Sequence, residues 1–391
     1  MTITTPRSDT RSSTIRLPVA VACLSLLYGV LGLAWLLGMD GYPFGPVPPD
    51  GDKLSPLAFF PEQVGAGLVA VLGFLGVPAA LGHTQTGWTS SAYRPLLVFT
   101  ALQLLVFGVL APSMTVIVIT GYLLVLVGLP VAFGFLLVGA WRQRTTRALL
   151  LGVLALAAVL ELTTGLFDWQ AFRELGAGVA SIPEKVGTRP LFVFGAFLLG
   201  GGWAVLGVRG LRSARGRCVR CGRPGAWWTR PEVARRWGWW ATVVAALCPM
   251  PYALLRMTWL LPNPVGFDAA TLEAEPGIRL FGLGLGLIAL AAGIVTLGLI
   301  RPWGEIWPRW IPFLAGRPVA LKAAIIPAAT AATLLLVGSV SMGQLLWSPE
   351  VSLLTNLGHL LLFPFPLWGA SLALATAAYY YRRRTACAVC G

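Results

Sequence analysis

Two histidines in 391 residues leave little imidazole for a haem, a metal or a His-based catalytic centre. Charge is scarce too: 11% of residues carry it, against roughly one quarter in a soluble domain, and only three are lysines. No Ser-x-x-Lys, His-Glu-x-x-His, phosphate-binding P-loop or dinucleotide fingerprint occurs in a suitable context, so none of those motif-defined enzyme classes is indicated. The alternating pattern of barrel strands is missing as well. What fills the chain is apolar: 57% of residues are hydrophobic and mean hydropathy is +0.76. Such a chain needs lipid around it.

Apolar stretches of about 20 residues recur, each long enough to cross a hydrocarbon core of about 30 Å as a helix. Lipid cannot satisfy free backbone amides, so these stretches must be helical, and the expected fold is an all-α transmembrane bundle. Ten spans are expected, near 17–38, 64–82, 95–112, 117–140, 148–167, 190–208, 238–261, 280–300, 318–340 and 357–380. The first is too long for a signal-peptide core and is followed by no small-x-small cleavage site, so it reads as a retained span. Formal net charge is +14, and its distribution matters more than its sum. Arginines gather in alternate loops and at both ends, which the positive-inside rule places in the cytoplasm. Only Arg173, Arg189, Arg256 and Arg279 fall elsewhere. His83 and His359 then lie on opposite sides of the bilayer and cannot share a ligand.

The spans contain an internal duplication. Leu27 begins LYGVLGLAWLLG and Pro251 begins PYALLRMTWLLP, so Tyr28 and Trp35 match Tyr252 and Trp259, each pair followed by a Gly, Pro and Phe turn. Arg94-Pro95 matches Arg317-Pro318, TALQLLVFG matches TAATLLLVG, Ser113-Met114 matches Ser341-Met342, GYLL matches GHLL, and WRQRT matches YRRRT. This order predicts a cytoplasmic segment 1–16, a four-span repeat 17–147, a two-span spacer 148–208, a cytoplasmic loop 209–237, a second four-span repeat 238–381 and a tail 382–391. Two intervening spans keep the repeats parallel, and parallel repeats usually place a binding site between them.

The pattern C-x-x-C-G occurs twice, as Cys218 to Gly222 and as Cys387 to Gly391. Each such turn directs two thiolates to one point, and two turns complete a tetrahedral four-thiolate site. In the cytoplasm disulfides do not persist, so metal is favoured. Zinc is the first expectation and a rubredoxin-like iron site the second, with a redox dithiol or unligated thiols as the remaining readings. Cys23 and Cys248, inside spans, read as small core residues. The first cysteine pair lies in a segment, Arg209 to Trp240, that has nine arginines, one acid at Glu232, and Trp227, Trp228, Trp237, Trp239 and Trp240. That mixture suits anionic headgroups and an interfacial belt better than nucleic acid.

Ionisable residues inside the membrane are costly and mark candidate sites. Glu161 and Arg256, both in the outer half, can pair in a polar site lined also by Gln103, with Arg256 standing where the first copy has Gly32; the alternatives are a purely structural ion pair or an Arg256 that reaches to the outer interface. The duplicated Tyr, Trp-Leu-Leu and turn pattern resembles uncharacterised multi-pass membrane proteins of high-GC actinobacteria, a resemblance that implies no activity. Three readings stay open: a carrier or lipid- or small-molecule-binding protein with a structural zinc knuckle; an enzyme on a lipid-linked substrate using Glu161 or Asp168; and an assembly or regulatory subunit docking a cytoplasmic protein.

Overall fold

The computed structural model describes residues 8–46, 55–84, 90–112, 114–165, 169–181, 187–223, 225–309, 311, 313–346, 352–384, 387 and 390. Among them ten helical spans are long and apolar enough to cross a membrane, and regular strands are absent. The chain is a multi-pass helical membrane protein.

Helices α1 (Ser8–Leu36), α2 (Glu62–Gly82) and α3 (Ser90–Leu105) form the first bundle. Glycine lets α1 and α2 touch backbone to backbone: a Cβ on Gly73 would lie 2.3 Å from the Gly29 amide nitrogen, and one on Gly32 would lie 2.4 Å from that of Ala70. With no hydrophobic drive between helices in lipid, such close approach is what holds them. Helix α3 passes into a π turn, Val106–Leu110, and stops before Pro112, which lacks the amide to continue. Helix α4 (Met114–Leu123), a second π turn (Leu124–Gly128) and α5 (Leu129–Arg142) make one long span whose bulge precedes Pro130 for the same reason.

A tight turn at Gln143 folds α6 (Arg144–Thr164) back along α5. Only 6% of its hydrophobic window is buried, leaving its apolar face for lipid. Helix α7 (Trp169–Ala180) follows, and its Glu174 accepts from the Gly277 amide at 2.9 Å. Helix α8 (Arg189–Ala214) then runs down to the first cysteine pair.

The second bundle holds α9 (Pro231–Leu247), α10 (Met250–Met257), a short α11 (Ala269–Ala274), α12 (Pro276–Leu297), α13 (Leu321–Leu346), α14 (Leu353–Leu362) and α15 (Phe365–Arg383). Two expected continuous spans are interrupted: the seventh at Cys248-Pro249 and the tenth at Phe363-Pro364. Proline has no amide, so each removes one bond from the helical ladder, although Cys248 itself keeps helical backbone at φ −53°, ψ −41°.

Of the four spans expected over residues 17–147, three pack together, while the fourth, α4–α5, packs mainly on α12, α13 and α6. Its place is taken by α8, which lies against α1 and α3 much as α15 lies against α9 and α13. Gly200 of α8 meets the backbone of Gly108, and Gly369 of α15 meets Ala332 and Leu336 of α13. Tyr28 donates to the carbonyl of Phe192, and Trp35 packs edge-on against Tyr42, Phe44 and Phe192, closing the first core around α8. The two bundles meet through α4, through α13 beside Pro56–Phe59, and through the first π turn.

At the end of the first bundle nearest the cysteines, His83 is held neutral by its neighbours. The Thr100 hydroxyl is spent on the Leu96 carbonyl at 2.7 Å, so His83 Nε2 must donate to Thr100 Oγ1 at 2.9 Å while Nδ1 accepts from Tyr93 at 2.7 Å. Burial pushes its pKa from 6.5 down to about 4. Between those values the unfolded chain binds a proton that the folded chain refuses, so stability falls as pH falls through that window. In acid titrations of thermal stability, His83→Gln is expected to lose less between pH 6.5 and 4 than the parent. Superimposable profiles would contradict a buried neutral imidazole.

Candidate metal centre

Helix α8 ends in Arg212, Ser213 and Ala214, and the chain turns at once into the first cysteine knuckle. The Gly222 amide donates to the Cys218 carbonyl at 2.7 Å and the Cys218 amide to the Arg223 carbonyl at 2.8 Å, closing a tight loop around the sulfurs. Gly222 sits at φ +74°, left-handed backbone that a side chain would strain. Arg212 donates to the carbonyls of Val219 and Arg220 at 3.3 and 3.1 Å, tying the knuckle to its helix.

The second knuckle arrives from α15. Arg384 donates to the Thr229 carbonyl at 3.4 Å and lies over the Tyr381 ring, while Tyr381 packs edge-on against Trp228 at 5.5 Å. These contacts bring the tail to the loop before any sulfur is considered. Cys218 and Cys387 then stand 4.0 Å apart, Cys221 and Cys390 stand 3.3 Å apart, and the four Sγ atoms lie within 4.8 Å of one another. A disulfide needs about 2.05 Å. None of the four is in a disulfide. A tetrahedron with metal–sulfur bonds of about 2.3 Å has edges of about 3.8 Å, inside the observed range.

The thiols do not ionise independently. Burial opposes the Cys218 thiolate, but the backbone amides of Cys221 and Arg220 outweigh it and hold its pKa below the ordinary value. Cys390, hydrogen-bonded to Cys221, partly desolvated and near Cys218, is pushed up to about 12. A divalent cation removes that opposition, because it rewards every thiolate at once. The donor set therefore fits a thiophilic metal. Four thiolates fill a tetrahedral shell and leave no position for water or substrate, so such a centre holds structure rather than performing chemistry.

The expected intramembrane site is dispersed. Gln103 is fully buried in the first bundle, where its amide donates to the Leu72 carbonyl at 2.7 Å and joins α3 to α2. Glu161 is on α6, which packs on α5. Arg256 has its partners on its own turn of chain, not on α6: Nε donates to the Tyr252 hydroxyl at 2.9 Å, and the guanidinium lies 4.0 Å from the Trp259 ring centre and 5.0 Å from that of Tyr252. The spacing of Tyr252, Arg256 and Trp259, four and three residues apart, was a readable signal for this arrangement. Asp168 lies outside the described residues. Cys248 is buried as expected, whereas Cys23 is exposed on the outer surface of α1, because the face of that helix turned to α2 is occupied by Ser25, Gly29 and Gly32.

No family profile, curated protein or solved structure matches the chain, so the reading of this site rests on its geometry.

Proposed function

We propose that this is a non-catalytic integral membrane protein, a carrier or lipid-binding protein of a bacterial cytoplasmic membrane, with one zinc ion clasping its tail to its central loop. The observation that carries the clasp is the convergence of Cys218, Cys221, Cys387 and Cys390 within 4.8 Å. Zinc is preferred over iron because a redox role needs a partner path, and this centre is ringed by arginines and loop backbone.

The clasp also joins two copies of a four-helix unit, made of α1, α2, α3 and α8 in one case and of α9–α10, α12, α13 and α15 in the other. Both sulfur pairs, Cys218 with Cys387 and Cys221 with Cys390, are separated by 169 residues. At that same spacing Ala196 and Phe365, Gly200 and Gly369, Trp203 and Leu372, and Leu206 and Ala375 are all buried. Each copy supplies one knuckle. A carrier whose ligand sits between two separately cored bundles needs their relation fixed at one end and adjustable at the other, and a metal at one end does that.

Lipid contact is supported by the loop. Trp227, Trp228, Trp239 and Trp240 are exposed beside Arg230, Arg235 and Arg236, an arrangement suited to anionic headgroups at the cytoplasmic face. Metal analysis and a visible spectrum of detergent-purified protein test the clasp: about one colourless zinc per chain is expected. A coloured iron centre would overturn the zinc assignment, and protein free of metal would overturn the clasp. Lipid extracted from the same preparation should be enriched in anionic over zwitterionic species, and equal proportions would count against the lipid-binding reading.

A further inference from the structure

Three arginines placed away from the cysteine end of the molecule, Arg189, Arg279 and Arg256, make hydrogen bonds among the described residues, and those bonds are of two kinds. Arg189 donates to the carbonyls of Gly45 and Pro46 at 2.8 and 3.1 Å, and Arg279 donates through Nε to the Trp259 carbonyl at 2.8 Å. Both serve the fold by holding a loop to a helix end. Arg256 does not. Its Nε is spent on Tyr252, and among the described residues no carbonyl or carboxylate accepts from its two terminal nitrogens.

Position makes this unusual. Arg256 lies four residues inside the end of a span that reaches from Pro231 to Leu260, about 6 Å along a helix axis. An arginine near a span end ordinarily stretches to the water interface. Here the side chain is held back, because its bond goes to Tyr252, one turn deeper, and its plane is gripped between the Tyr252 and Trp259 rings. Space for it is made by α12, where Gly286 lies against the Arg256 Cβ and Gly282 against the Trp259 ring. A guanidinium fixed by aromatic faces, with its two-nitrogen fork unspent in a medium of low dielectric, is arranged to receive a planar pair of anionic oxygens.

We propose that Arg256, with Tyr252 and Trp259 as walls, binds a phosphate group at the membrane end opposite the cysteines, carried by an anionic lipid headgroup or present as the free ion. This rests on the lipid-binding reading above and names one place where it acts. The fork donates to two phosphate oxygens, and the rings beside it exclude water and keep the charge attraction strong.

The test uses full-length protein in a neutral detergent, observed by native mass spectrometry and thermal unfolding. The probes are dihexanoyl phosphatidylglycerol, dihexanoyl phosphatidylcholine and inorganic phosphate. Phosphatidylglycerol should bind the parent about tenfold more tightly than it binds Arg256→Gln, a difference matching loss of one charge-assisted fork. Arg256→Lys should fall between them, because a point charge replaces a fork. If phosphatidylcholine binds as well as phosphatidylglycerol, the site does not select an anionic lipid headgroup, and that form of the proposal is overturned. If only inorganic phosphate depends on Arg256, the site takes the free ion. Equal binding of every probe to parent and Arg256→Gln would overturn the proposal while leaving lipid binding elsewhere intact. Failure of the parent to bind any lipid would instead remove the broader reading. Should Arg256→Gln fail to fold, Tyr252→Phe keeps the ring and frees the guanidinium to leave its seat; unchanged phosphate binding in that variant would equally refute a built site.

Discussion

Protein carrying Cys387→Ser and Cys390→Ser together is expected to purify without its metal, while the parent keeps about one ion per chain. Two thiolates of the first knuckle cannot hold a tetrahedral ion against competing water and chelator, so occupancy should collapse rather than halve. The stability cost is bounded by what the metal has left to organise. In an isolated zinc finger the ion supplies the whole folding energy, about 10–16 kcal/mol. Here both knuckles hang from helices already folded, and Arg384 on Thr229 and Tyr381 on Trp228 hold the tail near the loop without any sulfur. The clasp therefore behaves as a cross-link, worth about 2–4 kcal/mol as a disulfide typically is. Thermal unfolding in detergent with a metal assay reads both effects. A double variant that retains stoichiometric metal would refute the four-cysteine centre.

The second large effect comes from the contact between α1 and α2. Gly73→Val is expected to destabilise the protein by about 3 kcal/mol or more, the upper range for forced overpacking. Its Cβ would fall 2.3 Å from the Gly29 nitrogen and 2.8 Å from the Ser25 carbonyl oxygen, and backbone cannot move aside as a side chain can. The helices would have to separate along the face that carries Gly29, Gly32 and Ser25. Gly67, six residues earlier on the same helix, has nothing within 4 Å of its would-be Cβ. Gly67→Ala should therefore be neutral or stabilising by up to about 1 kcal/mol, from the ordinary preference of helices for alanine. Denaturation of the two variants side by side separates packing from propensity. Similar losses in both would mean that the α1–α2 contact is not as close as described.

Those two predictions draw on different levels of information. The cysteine centre was legible in the chain alone, because metal chemistry is local: C-x-x-C-G written twice states the ligands and the turn that aims them. The ten spans were equally legible, since hydrocarbon thickness and the need to satisfy the backbone leave one solution for an apolar run of that length. Even the breaks at Pro249 and Pro364 were present as letters, although a hydropathy reading passes over them. The expected partnership of Glu161, Arg256 and Gln103 was of another kind. It assumed that costly groups find one another, whereas Gln103 found a backbone carbonyl of α2 and Arg256 found aromatic faces one turn away.

Sequence by itself determined that this chain lives in a bilayer as helices and that it has four thiols fit for a metal. Only the tertiary structure decided which helices touch, above all that α8, not α4–α5, completes the first bundle. The physical reason is that every span is apolar and lipid is as apolar as any of them, so hydrophobicity cannot rank neighbours. Rank comes from fit, from Gly200 against Gly108 and Gly238 against the Ala378 methyl, and such fits exist only once two surfaces are brought together.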